Sequence, residues 1–127
     1  LRGRKISSTK ELIEYLNYDM ANLQVEVFKI IFLDTQNVFI NEKTIVVGTI
    51  DKSYIYPREL LKEIFEHNAK SVIFAHNHPS GNLNPSKADI NFTNSMRNLL
   101  KELEINLLDH VIIGTSGHYS FLEENLL

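Results

Sequence analysis

The apolar run Val72-Ile73-Phe74-Ala75 leads directly into His76-Asn77-His78-Pro79-Ser80-Gly81-Asn82-Leu83-Asn84-Pro85-Ser86-Lys87-Ala88-Asp89. In an extended chain, residues two apart point to the same side, roughly 7 Å apart along the strand. Both imidazoles can therefore turn toward one ion at the strand's end. The Pro, Gly and Asn residues that follow break any regular element, so the chain must turn there. Ser86 reads as a helix N-cap, with Asp89 three residues on in the first turn. That returns a carboxylate over the loop toward the histidines. Two His and one Asp with a fourth position open make the ligand set of a catalytic zinc.

The bulk of the chain bounds what can surround this loop. With 127 residues, one domain spanning 1–127 with a real core is expected. A hydrophobic fraction of 43% and a charged fraction of 23% are those of an ordinary globular protein. No apolar run approaches the roughly 18 residues that cross a bilayer. The basic N-terminus has no apolar stretch behind it, so no signal peptide is read. The chain has no cysteine, so disulfides are excluded and a bound zinc must be held by His and carboxylate. A cytoplasmic location is the expectation. The net charge of −3 argues against a dedicated nucleic-acid surface, and Arg2, Arg4, Lys5 and Lys10 form only a sparse basic cluster. The chain starts at Leu1 rather than Met, so a piece of something longer is expected.

Taken in order, residues 1–20 read as a lead-in that is polar to residue 7, then a short helix capped by Ser8 or Thr9 and ending near Tyr18. Glu26 to Leu33 reads as a strand rich in β-branched and aromatic residues. Alternation puts Glu26 on the same face as Phe28, Ile30 and Phe32, an odd place for a carboxylate because burying it unpaired is costly. The simplest account is that Glu26 sits at the strand's start and reaches water. A second strand is read through Val38–Ile40, resuming through Thr44–Thr49 after a break at Asn41-Glu42-Lys43. Pro57 opens a helix to about Asn68, with Leu60, Leu61, Ile64 and Phe65 as its buried stripe. Residues 71–75 form a central strand covered on both faces. A helix from about Lys87 to Leu103 buries Phe92, Met96, Leu99, Leu100 and Leu103. Leu107–Ile113 is a strand, Gly114–Gly117 a turn, and Tyr119–Leu122 a short last strand. This order implies an α/β domain with a mixed sheet flanked by helices.

A metal-activated water needs a general base, usually a carboxylate, and a donor for the oxyanion that develops on a carbonyl. Glu26, the odd carboxylate at a strand end, is the candidate base. Ser86 suits the donor role if its hydroxyl points into the loop, while a plain N-cap role is equally consistent and both can hold together. Asp109 and His110 are candidates to support the ligands from another strand. His67 suits its helix C-terminus and is given no functional role, and His118 is read as a surface residue.

His76-x-His78-Pro79, six residues, then Ser86-x-x-Asp89 resembles the JAMM motif of the JAB1/MPN metalloproteases without departure in spacing. More narrowly, four stretches resemble the bacterial RadC-like branch. They are Glu26-Val27-Phe28 leading into Phe32-Leu33-Asp34-Thr35, Tyr56-Pro57-Arg58-Glu59, His76-Asn77-His78-Pro79-Ser80-Gly81, and Leu107-Leu108-Asp109-His110. The resemblance runs from about residue 20 onward. It implies a JAB1/MPN-type, cytidine deaminase-like fold, His76, His78 and Asp89 as zinc ligands, Ser86 as transition-state donor and Glu26 as catalytic glutamate. Members usually carry a helix-hairpin-helix segment upstream. Deamination is not expected, because zinc deaminases need His-x-Glu and Pro-Cys-x-x-Cys.

Two functions from different classes remain in view. One is a zinc peptidase or isopeptidase acting on a peptide or protein substrate. The other is a metal-stabilised interaction module beside DNA-repair factors, without hydrolysis, as the branch name suggests. A metal-free domain would require the His pair to be ordinary loop histidines. The exposed edge of the N-terminal meander offers a surface for a substrate strand or for a second subunit in a homo-oligomer.

Overall fold

The computed structural model describes residues 3–48 and 55–127. Chain order is α1 (Thr9–Met20), β1 (Val27–Leu33), β2 (Phe39–Val47), α2 (Pro57–Glu66), β3 (Ser71–Asn77), α3 (Lys87–Glu102), β4 (Asn106–Gly114) and β5 (Gly117–Ser120). The five strands form one mixed sheet in the order β2-β1-β3-β4-β5. Every neighbouring pair is antiparallel except β3 with β4, which is parallel and is joined by the α3 crossover.

Alternation along the strands sorts the core into two layers. Phe28, Ile30, Phe32, Val72 and Phe74 meet Leu60 and Ile64 of α2 and Met96 and Leu100 of α3. On the other face, Ile31, Leu33, Ile73, Ala75 and Val111 meet Leu12, Leu16 and Met20 of α1. All seven residues of β3 are buried, as its continuous apolar character predicts for a strand covered on both faces. Among the described residues no helix is long and apolar enough to cross a membrane.

The α/β expectation holds, and the differences are local. Helix α1 is capped by Ser8, whose hydroxyl accepts the Glu11 N–H, and it continues past Tyr18 so that Met20 enters the core. Strand β2 passes without a break through Asn41-Glu42-Lys43. Those side chains find charged or polar partners, which removes the reason to leave the sheet. Glu42 receives the Tyr15 hydroxyl at 2.7 Å and the Lys29 ammonium at 3.3 Å, and Lys43 pairs with Glu63 at 2.6 Å. Lys29, buried within β1, also pairs with Asp19 of α1. Burial and the neighbouring Glu42 hold the Tyr15 hydroxyl above its ordinary pKa, so it stays a donor. The expected end of β2 at Thr49 lies outside the described residues.

Two stripes are narrower than periodicity suggested. Phe65 is 58% exposed and Leu103 is 42% exposed. At about 100° per residue, Phe65 lies about 140° around α2 from Leu60, outside the arc that faces the sheet. Helix α2 also stops at Glu66, with His67 as its C-cap. The His67 ring stacks on Phe32 at 4.1 Å between centroids, a packing role.

The last strand is Gly117–Ser120 rather than Tyr119–Leu122. Asp109 bends the chain away after Ser120. Its carboxylate accepts the Ser120 hydroxyl at 2.6 Å, the Leu122 N–H at 3.0 Å and the His110 N–H at 2.7 Å. Burial raises the Asp109 pKa, and these hydrogen bonds only partly offset it. A carboxyl whose folded pKa lies above its unfolded value of about 3.9 contributes most below that pH. The contribution is lost as pH rises through the folded value. Asp109→Asn should therefore flatten the stability profile above about pH 4. Asp109→Ala, which strands three donors, should cost about 2–4 kcal/mol. Urea denaturation of both variants across pH 4–7 measures the two effects, and an Asn profile as steep as that of Asp would contradict the first.

Candidate metal centre

The site lies at the end of β3, where the chain leaves the sheet, turns and starts α3. The β3–β1 ladder ends at the pair Phe28↔His76, while β3 continues along β4 to Asn77↔Ile113. His78 extends this line by donating its N–H to the Ile113 carbonyl at 2.8 Å. A turn follows, closed by Gly81 N–H to the His78 carbonyl at 3.0 Å, with Gly81 at φ +86° where a side chain would be strained. Leu83 then seats against the β4–β5 hairpin, and a Cβ on Gly114 would lie 2.6 Å from its side chain. The loop is thus pinned at both ends.

Helix α3 begins with a capping box. The Ser86 hydroxyl accepts the Asp89 N–H at 3.0 Å, and the Asp89 carboxylate accepts the Ser86 N–H at 2.9 Å. The box holds Asp89, only 3% exposed, over the end of β3. Its Oδ2 lies 3.7 Å from His76 Nε2 and 3.8 Å from His78 Nε2, and the two Nε2 atoms are 2.9 Å apart. Three ligand atoms from a strand, a loop and a helix therefore surround one point, and this group could hold a metal ion.

The other ring nitrogens explain why the Nε2 atoms present lone pairs. His78 Nδ1 lies 2.5 Å from the Asn82 carbonyl, which only accepts, so Nδ1 carries the proton. His76 is set by a longer chain of bonds. The Thr93 hydroxyl donates to the Asp89 carbonyl at 2.7 Å and receives His110 Nδ1–H at 2.6 Å. His110 Nε2 then accepts His76 Nδ1–H at 2.8 Å. The proton order turns the lone pair of His76 Nε2 toward Asp89 and His78. Aromatic walls keep this relay dry, with Phe121 stacked on His110 at 4.7 Å and Phe28 6.0 Å away at its edge.

Of the sequence-predicted residues, His76, His78 and Asp89 are brought together. Ser86 is an exposed residue whose hydroxyl is engaged in the cap of α3. Glu26 lies just before β1, half-buried, in a cleft of about 350 Å³ shared with Pro79 and Ser80 of the metal loop. The two candidates for supporting roles part ways. His110 contacts His76, whereas Asp109, on the opposite face of β4, serves the C-terminal turn. His118 is exposed and paired with Glu123 at 2.8 Å. Sequence reasoning missed Thr93, although its place one helical turn after Asp89 puts both on one face. It also missed Asn77, whose role depends on strands far apart in sequence.

The relay makes a specific demand on Thr93. Thr93→Val keeps the volume and removes the hydroxyl, so it should weaken metal binding roughly 10–100-fold with the fold intact. His78→Ala should abolish binding. Chelator competition on the purified variants measures both, and wild-type affinity in Thr93→Val would show that the relay does not tune His76.

Comparison with known proteins agrees with this geometry. Residues 6–126 match the model of the RadC-like JAB domain. UPF0758 protein PSHAa2643 of Pseudoalteromonas translucida is 43% identical over 126 residues, which span 99% of this chain and 56% of that protein. The UPF0758 protein of Vibrio cholerae is 42% identical over 127 residues, 100% of this chain and 80% of the relative. UPF0758 protein YeeS of Escherichia coli is 40% identical over 125 residues, 98% and 84% respectively. The chain thus spans about half the length of the first of these relatives and about four-fifths of the other two. With the mixed sheet, the convergent His-His-Asp group and the match over nearly its whole length, this chain belongs to the RadC-like JAB domain family.

Proposed function

We propose that this domain is a zinc-dependent hydrolase of peptide or isopeptide bonds. The observation that carries the reading is the convergence of His76 Nε2, His78 Nε2 and Asp89 Oδ2, with Nδ1 of each imidazole turned to a hydrogen-bond partner on the far side. Two neutral imidazoles and one carboxylate suit zinc and leave a position open. A zinc ion bound there supplies Lewis acidity, lowering the pKa of water and polarising a carbonyl.

The chain's own residues supply the rest. Glu26, in the cleft beside Pro79 and Ser80, takes the proton from the attacking water. It passes that proton to the amine that leaves when the C–N bond breaks. The Ser86 oxygen already accepts the Asp89 N–H, so its own proton is left to donate to the oxyanion formed during attack. Capping and catalysis then use different faces of one hydroxyl.

Zinc-loaded full-length protein, offered a library of peptides and ε-linked isopeptides, should cleave a subset of them. Glu26→Gln should lower kcat by about 10²–10⁴ while zinc stays at the wild-type level. Mass-spectrometric detection of products beside elemental analysis checks both. Hydrolysis that survives Glu26→Gln would remove Glu26 from the mechanism. No cleavage by a fully loaded protein, with partner binding lost in Asp89→Ala, would favour the interaction module instead.

A further inference from the structure

Asn77, between the two histidines, is 1% exposed and forms no part of the ligand set. Its backbone belongs to the β3–β4 pairing, opposite Ile113. Its side chain reaches the other way. Oδ1 accepts the Val27 N–H at 2.7 Å, and Nδ2 donates to the Val25 carbonyl at 2.9 Å. A longer contact of 3.4 Å joins Nδ2 to the Leu23 carbonyl. These bonds begin where the β1–β3 ladder stops, at Phe28↔His76. The primary amide offers one acceptor and one donor in a plane, as a peptide group does, and so extends the ladder past its last backbone pair.

The residue between the two bonded positions is Glu26. On its other flank, the Glu26 carbonyl accepts the Gly48 N–H at 2.8 Å. Residues 25 and 27 are thus held by Asn77, and residue 26 by the extension of β2. This alternation fixes the backbone at Glu26 and directs its Cβ to the face shared by Phe28. The Phe28 ring packs 6.2 Å from that of His76. Few side chains could substitute. Aspartate offers acceptors only and would set a charge against the Val25 carbonyl, and glutamine is one methylene longer in a fully packed place.

We propose that Asn77 is a positioning residue for the glutamate: its amide sets the backbone of residues 25–27 so that the Glu26 carboxylate is directed toward the His76, His78 and Asp89 group that would hold the metal. This rests on the assignment of Glu26 as general base. It gives the tripeptide His76-Asn77-His78 two functions, the outer residues binding the ion and the middle one orienting the base.

Cobalt(II)-loaded protein provides the test, because its visible spectrum follows the acid–base equilibrium at the metal's open position. Four proteins are titrated with pH: wild type, Glu26→Gln, Asn77→Ala and the double variant. Glu26→Gln should move the spectral midpoint by about one pH unit. Asn77→Ala should move it in the same direction by at least half as much, with about one cobalt per chain retained. The double variant should match Glu26→Gln alone, because a residue that acts through Glu26 has nothing to act on without it. A wild-type midpoint in Asn77→Ala, or additive shifts in the double variant, would overturn the inference. Should Asn77→Ala not fold, Asn77→Asp keeps the acceptor for the Val27 N–H and is judged by the same criteria. A wild-type midpoint in Glu26→Gln would instead dismiss Glu26 as the base, and the role of Asn77 with it.

Discussion

The parallel pairing of β3 with β4 is the constraint on which the rest of the molecule depends. Parallel neighbours cannot be joined by a tight turn, so the chain must leave the end of β3, cross one face of the sheet and return to the start of β4. Helix α3 is that crossover, and it packs through Met96 and Leu100 onto Phe28 and Phe74. Its first turn consequently lies over the C-terminal end of β3, where Asp89 meets His76 and His78. Ligand groups gather outside the carboxyl ends of parallel strands for this reason. The same pairing sets β4 beside β3, so that His110 lies within reach of His76.

Burial of polar groups around the site is made tolerable by complete pairing. Asn77, Thr93, Asp109 and His110 are each 3% exposed or less. Among the described residues, no buried side-chain nitrogen or oxygen lacks a partner. Unpaired, each such group would cost about 1–3 kcal/mol. Paired, they supply direction that apolar packing cannot: a tautomer for His76, a bend after Ser120, and a continued ladder at Glu26. The buried Lys29 belongs to the same pattern, joining α1 to the sheet through Asp19 and Glu42.

Much of the arrangement was legible beforehand. Apolar runs and turn residues located the helices and strands, since burial on one or two faces imposes periods that a sequence displays. The His-x-His and Ser-x-x-Asp spacings located the three residues that converge, His76, His78 and Asp89, because a strand end and a capped helix start each have one local geometry. Legibility failed where a distant partner decided the outcome. Asn41-Glu42-Lys43 looked like a break because its polarity was visible and its partners Lys29, Tyr15 and Glu63 were not. Leu122 looked like strand until Asp109, thirteen residues earlier, captured its N–H.

By itself, then, the sequence determined the local chemistry of this protein: an α/β chain, a His76, His78 and Asp89 group that could hold a metal ion, and the cap that orients the helix bearing the last of them. The tertiary structure alone decided which groups stand behind those residues. It chose His110 over its neighbour Asp109 to support His76, brought Thr93 in to fix the proton order, and set Asn77 across the residues that flank Glu26. The physical reason is that hydrogen bonds within a turn follow from neighbours along the chain. Those between strands follow from register, which the packing of both faces of the sheet settles only once the whole core has assembled.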